Sequence, residues 1–145
     1  MNTTIILPAE MCYLRLATVT AWTAAEIFSN SLNAENGIHD FCHAFKLAVC
    51  ETFSNSVRHA VHSKEEKNVT IRFSSSNDRL TALVSDSNLP FDPVITLPDI
   101  EKYPEGGFGL FLIRQLMDEV VFTRENGMNL VAMTKKLTVE HKQGN

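Results

Sequence analysis

Apolar and polar positions follow two different rhythms along the chain, and the rhythm assigns the elements. Residues 3–7 (TTIIL) are apolar and β-branched and stop at Pro8, which predicts a short strand. From 10 to 29, Met11, Leu14, Ala17, Ala21, Ala24, Ala25 and Phe28 recur at near-helical spacing, with Trp22 as a core or edge aromatic. The polar break SNSLNAENG at 29–37 ends that helix. A long helix over 41–62 (FCHAFKLAVCETFSNSVRHAVH) then carries Phe41, Phe45, Ala48, Phe53, Val57, Ala60 and Val61 as apolar cover. Into that cover Glu51, Asn55, His59 and His62 cut a polar stripe, because side chains three or four apart stack on one face. The two helices can pack as a hairpin.

After the charged turn SKEEKN, Val69, Ile71 and Phe73 alternate with Thr70 and Arg72 as a half-buried strand. The turn SSSNDR separates it from a second strand, 80–85 (LTALVS), and the pair predicts an antiparallel hairpin. From 86 to 107 the periodicity lapses; Pro90, Pro93, Pro98 and Pro104 precede Gly106 and Gly107. A loop of that length in a small domain is a lid, a binding loop or a disordered segment. A helix over 109–117 (GLFLIRQLM) follows, then strands over 120–123 and 129–136 around a Glu125-Asn126-Gly127 turn. Residues 138–145 form a polar tail. The order is β-α-α-β-β-(loop)-α-β-β, without an internal repeat. It predicts an α+β fold: a two-layer sandwich of one mostly antiparallel sheet, covered on one face by helices.

The chain has 145 residues, so 1–145 is expected to form a single domain. With 44% hydrophobic and 21% charged residues, the composition is that of an ordinary globular protein. No apolar run reaches membrane-spanning length, and the start MNTTIILPAE lacks a signal-peptide pattern, so no membrane association and a cytoplasmic location are expected. A net charge of −4 argues against direct nucleic-acid binding through phosphates and favours protein or small-molecule partners. Cys12, Cys42 and Cys50 are an odd set without CxxC spacing, which suits buried reduced thiols with no catalytic role. His39 and His43, four apart without a third ligand, read as a surface pair and not a metal site. Met117, Met128 and Met133 read as core filler.

Three constellations carry chemistry. Glu51 and Asn55 project side by side from the long helix. The amide oxygen of Asn55 is a hard ligand suited to Mg²⁺ beside nucleotide phosphates, and Glu51 could act as general base toward a water or hydroxyl. Asp86 ends a strand, where it either caps the backbone at Asn88 or accepts from an exocyclic amine such as that of adenine. The run Glu105-Gly-Gly-Phe-Gly-Leu110 enters a helix, and its glycines and free N–H groups can cradle an anion. Singly, each has an ordinary structural explanation.

Together, in this order, they resemble the GHKL (Bergerat-fold) ATPases, and within them the anti-sigma-factor serine kinases of the RsbW and SpoIIAB type. CETFSNSVRHA resembles the N-box, VSDSNLPFDP the adenine-contacting box, EGGFGLFLIRQLMDEV the glycine-rich box, and VAMTKKL the last strand. The resemblance runs from about Leu14 to Leu137. It implies Glu51 as catalytic base, Asn55 as Mg²⁺ ligand, and Asp86 as adenine acceptor with Asn88 in its box. It also implies Gly106, Gly107, Phe108, Gly109 and Leu110 as the nucleotide-binding turn, Thr134 as a water-linked adenine contact, and an ATP lid at about 92–106. Arg15 falls near a helix-1 arginine of the family's protein interface, although a solvated arginine is the simpler reading. His59 and His62 fall back to packing and surface roles.

Two departures stand out. Asn88 replaces the usual glycine; asparagine best tolerates positive φ, so the turn is expected to survive with Asn88 in that region. Glu105 stands where some members carry an arginine, leaving Arg114, Lys102 or the metal to neutralise the γ-phosphate. The resemblance implies an ATP- and Mg²⁺-dependent protein serine kinase. It would phosphorylate a STAS-type anti-sigma-factor antagonist, sequester a sigma factor, and form a homodimer. The departures motivate an alternative, a nucleotide-gated partner-binding module with little or no phosphotransfer. A plain ATP hydrolase would ask the same of Glu51.

Overall fold

The computed structural model describes residues 1–60, 65–90 and 108–139. Among them, β1 (Asn2–Pro8) leads through a short 3₁₀ turn (Met11–Tyr13) into α1 (Leu14–Ser31) and α2 (Ile38–Ala60). Next come β2 (Asn68–Ser76), β3 (Arg79–Asp86), α3 (Phe108–Leu116), β4 (Glu119–Glu125) and β5 (Met128–Lys136). The element order is the one the hydrophobic rhythm predicts. The expected lid at about 92–106, with Lys102, Glu105, Gly106 and Gly107, lies outside the described residues, as do His62 and most of the polar tail.

The five strands form one antiparallel sheet in the order β1-β2-β3-β5-β4. Turn chemistry fixes its hairpins. Asn126 and Gly127 both take positive φ, 51° and 76°, as the tight turn between β4 and β5 requires, and Asn77 does so between β2 and β3.

Residues opposite each other on antiparallel strands share a face, so the register reads as rows. One row is Ile5-Ile71-Val84-Val131-Phe122, and the next is Thr3-Phe73-Ala82-Met133-Val120. Both lie on the face against which α1 and α2 pack, and Ile71, Phe73, Ala82 and Met133 are fully buried there. The third row on that face starts apolar, Leu7-Val69, and turns polar at β3, continuing Asp86-Asn129-Arg124. At that corner the core gives way to a cavity.

The helices meet as the expected hairpin. Phe28 of α1 stacks on Phe41 of α2 with ring centroids 5.7 Å apart, and Phe45 and Phe53 are buried beneath. His39 and His43 stack on the surface, with Trp22 edge-on to His39. Met117 and Met133 belong to the core, whereas Met128 at the start of β5 is only half-buried. Cys42 is buried and Cys50 partly so, but Cys12 is exposed near Glu10. That departs from the expectation for Cys12, because the 3₁₀ turn carries it outside the helical hairpin.

Candidate functional site: a cavity between α2 and the polar corner of the sheet

A cavity of about 220 Å³ opens where α2 passes over the polar corner. This is below the roughly 300–1,000 Å³ of sites that enclose a whole drug-sized ligand. It suits a small ligand or one part of a larger one. Thr52, Asn55, Ser56 and His59 of α2 form one wall; Val84, Val131, Phe122 and Leu110 supply apolar surface for a planar ring. Asp86, Asn88, Asn129 and Arg124 form the polar end. His59, exposed at the surface, also lines the cavity, since 52, 55, 56 and 59 share one helical face.

Asp86 accepts three hydrogen bonds at the polar end of the site. Its Oδ2 accepts from the Ser56 hydroxyl at 2.6 Å, and its Oδ1 accepts from the Asn88 backbone N–H at 3.1 Å and the Asn129 amide at 2.9 Å. The capping role and a place on the cavity wall thus coexist. Asn88 reaches its position differently from the expectation: it is not among the residues with positive φ. Its buried amide donates to the Ser56 carbonyl at 2.9 Å and ties the end of β3 to α2, so a glycine-like backbone is not needed.

Thr134 does not belong to this corner. It pairs with Thr81, its hydroxyl 2.8 Å from that of Thr81, while the residue opposite Asp86 is Asn129. Five positions is an odd interval on a strand and puts Thr134 on the face away from the helices. Asn129 and Arg124 are what sequence reasoning missed. Their signal lay in the register: a two-residue Asn126-Gly127 turn sets Arg124 opposite Asn129, and the β3–β5 pairing sets Asn129 opposite Asp86.

Glu51, half-buried, lies outside the cavity wall and rests on α3. A methyl group built on Gly109 would fall 3.0 Å from Glu51 Cδ and closer still to Oε2, so the carboxylate keeps this position only beside glycine and would have to turn aside for any larger residue. The structure thus brings the polar stripe of α2 onto the end of the glycine-rich segment, one residue before Leu110 of the cavity wall. Asn55 lines the cavity, and its Oδ1 accepts from Arg58 Nη2 one turn on. Among the described residues no three His, Cys, Asp or Glu side chains gather to hold a metal. An ion here would depend on the Asn55 oxygen and on ligand phosphates, the mode that suits Mg²⁺. Arg114, a possible phosphate partner by sequence, stacks 5.5 Å from the Phe122 ring centroid. Burial, followed by the nearby Glu51 carboxylate, pushes the Cys50 thiol up, and burial followed by Glu26 does the same for Cys42.

Residues 9–135 match the model of the histidine kinase-like ATPase domain, which defines the class: the chain belongs to that family. Within it the chain falls among the RsbW serine-protein kinases. It is 32% identical over 143 residues to the serine-protein kinase RsbW of Bacillus velezensis, covering 92% of this chain and 84% of that one. Against the protein of the same name from Listeria innocua it is 32% identical, covering 98% and 91%. The RsbW of Bacillus subtilis is 39% identical over 113 residues, covering 70% of this chain and 69% of that one. The fold is similar to a crystal structure of the RsbU and RsbW domains of a Mycobacterium tuberculosis protein, with a TM-score of 0.63 and 15% identity over 94% of this chain and 32% of that one.

Proposed function

We propose that this chain is an ATP- and Mg²⁺-dependent protein serine kinase and anti-sigma factor that phosphorylates a STAS-type anti-sigma-factor antagonist and sequesters a sigma factor. The observation that carries the reading is the junction of Glu51 with Gly109 beside a cavity whose polar end is Asp86. The base would lie on Val84, Val131 and Phe122 with its amine toward Asp86, which directs the phosphates to the start of α3. Gly106, Gly107, Phe108, Gly109 and Leu110 would receive them on backbone N–H groups and the positive end of the helix. Asn55 Oδ1 would hold the magnesium ion once Arg58 releases it. When bound, such an ion would supply neutralisation of phosphate charge. Glu51 takes the proton of the incoming serine hydroxyl. The bond from serine oxygen to the γ-phosphorus forms as that to the β-γ bridging oxygen breaks.

The single 1–145 domain, the lid at about 92–106 and a homodimer belong to the same reading. So does a cytoplasmic location; among the described residues no helix is long and apolar enough to cross a membrane. The hydrogen bond from Arg58 to Asn55 favours a second reading, a nucleotide-gated binding module with little phosphotransfer. One experiment separates them. The protein is incubated with γ-labelled ATP, Mg²⁺ and a STAS-type antagonist: label on an antagonist serine, lost in Glu51→Ala, is expected of the kinase. Bound ATP with equal turnover in both forms would leave only the binding module.

A further inference from the structure

We propose that Asn129 and Arg124 are positioning residues that set the base selectivity of the cavity, by leaving Asp86 a single acceptor position for an exocyclic amine. The inference rests on the nucleotide reading above and adds two residues to it.

The register places Asp86, Asn129 and Arg124 side by side across β3, β5 and β4, all on the helix-facing side of the sheet. Asn129 Nδ2 donates to Asp86 Oδ1 at 2.9 Å, to the Asn88 carbonyl at 3.2 Å and to the Leu89 carbonyl at 3.0 Å. Its Oδ1 accepts from Arg124 Nη1 at 2.9 Å, and the same Nη1 reaches the Asn88 carbonyl at 3.2 Å. The chemistry of the partners fixes which way the amide points. Arginine has only donors and a peptide carbonyl only lone pairs, so a flipped amide would set like against like at every contact.

That orientation decides what Asp86 can read. Each carboxylate oxygen offers about two lone-pair sites. Oδ1 spends both on N–H donors, from Asn88 and Asn129, and Oδ2 spends one on the Ser56 hydroxyl. Among the described residues, what remains is one acceptor position on Oδ2, in a wall residue of the cavity. It takes one N–H and refuses a carbonyl oxygen. A purine with a 6-amino group satisfies it, whereas a 6-oxo purine leaves two acceptors facing each other. Arg124 acts one step further out: it fills the Asn129 oxygen and ties it to the Asn88 carbonyl, so its loss loosens the amide while the three acceptors facing Nδ2 still favour the same orientation.

Asn129 also sews the turn after β3 to β5, so a purely structural role must be told apart from positioning. Calorimetric titration of the full chain with ATP and with inosine triphosphate, both with Mg²⁺, makes that distinction. Wild type should prefer ATP. Asn129→Ala should lower the ATP-to-inosine-triphosphate affinity ratio about tenfold, the scale of one hydrogen bond to a charged group. Arg124→Met should lower the ratio in the same direction by a smaller factor, and Arg124→Lys should restore part of it. Arg124 is exposed, so its variants decide the matter if Asn129→Ala does not fold. Variants that weaken both nucleotides in parallel, or leave the ratio at its wild-type value, overturn the positioning role while the nucleotide site stands. Wild type that binds neither nucleotide overturns the nucleotide reading and this inference with it.

Discussion

At the sheet end of the site, Asp86 is held by donors from α2, from β5 and from the turn after β3. At the helix end, Glu51 rests on the bare backbone of Gly109. The sheet end is preorganised: antiparallel register places its side chains in one row, and each hydrogen bond fixes the next. The helix end depends on a glycine on α3 beside which the Glu51 carboxylate of α2 can rest, a position that a single methyl group would displace. A group that must recognise one feature of a ligand gains from being locked. The proton transfer proposed for Glu51 needs room beside the carboxylate, and Gly109 leaves that room.

Four perturbations break or sharpen this contrast. The largest effect is expected of Glu51→Gln, which keeps the shape and removes the base. Labelling of the antagonist should fall by about 10²–10⁴-fold while calorimetry gives unchanged ATP affinity. A comparable loss of ATP affinity would move Glu51 from proton transfer to binding.

Asp86→Ala acts on the other end. It removes the acceptor for the base and leaves Ser56, Asn88 and Asn129 donors without their partner. ATP affinity should fall by about 10–100-fold, the worth of hydrogen bonds to a charged group, and thermal melting should show a loss of about 1–3 kcal/mol. Intact melting with lost binding would mean that the corner is less interlocked than its hydrogen bonds imply.

Gly109→Ala comes next, and it separates activity from stability. Alanine in a helix is ordinarily more stable than glycine by about 0.5–1 kcal/mol. Here the added methyl meets the end of the flexible Glu51 side chain, which can turn aside, so denaturant unfolding should show a stability within about 1 kcal/mol of wild type while phosphotransfer falls with the displaced carboxylate. Undiminished phosphotransfer in Gly109→Ala would show that the Glu51 position beside Gly109 does not matter.

The smallest effect concerns Cys50 and Cys42, whose folded thiols titrate above the ordinary thiol range, chiefly through burial. A raised thiol pKa means that the unfolded chain loses its protons first as pH rises. The associated stability is fully present below about pH 8.5, the ordinary thiol value. It is lost as pH rises through the higher folded values. Unfolding midpoints of Cys50→Ser should therefore fall less steeply above that pH than those of wild type.

Much of this was legible in the sequence because it rests on local patterns. Period-2 runs gave the strands, the 3.6 period gave the helices, and Asn126-Gly127 gave a turn whose backbone bears it out. Glu51 and Asn55 could be paired because their spacing belongs to one helix. Asn88 and Thr134 were harder, because what each does depends on a partner far along the chain. Asn88 was legible as a turn residue, but its buried amide serves the Ser56 carbonyl, 32 positions away. Thr134 matched a strand pattern, yet pairing with Thr81 carried it to the opposite face.

The sequence by itself determined the elements, their order, the single antiparallel sheet and the identity of the groups able to do chemistry, since each follows from neighbours within a few turns of chain. Tertiary structure alone decided which of them meet. It laid Glu51 on Gly109, turned His59 into the cavity and placed Asn129 and Arg124 beside Asp86. Strand register and helix docking join residues that sequence distance keeps apart, and one position of slip on a strand exchanges its two faces.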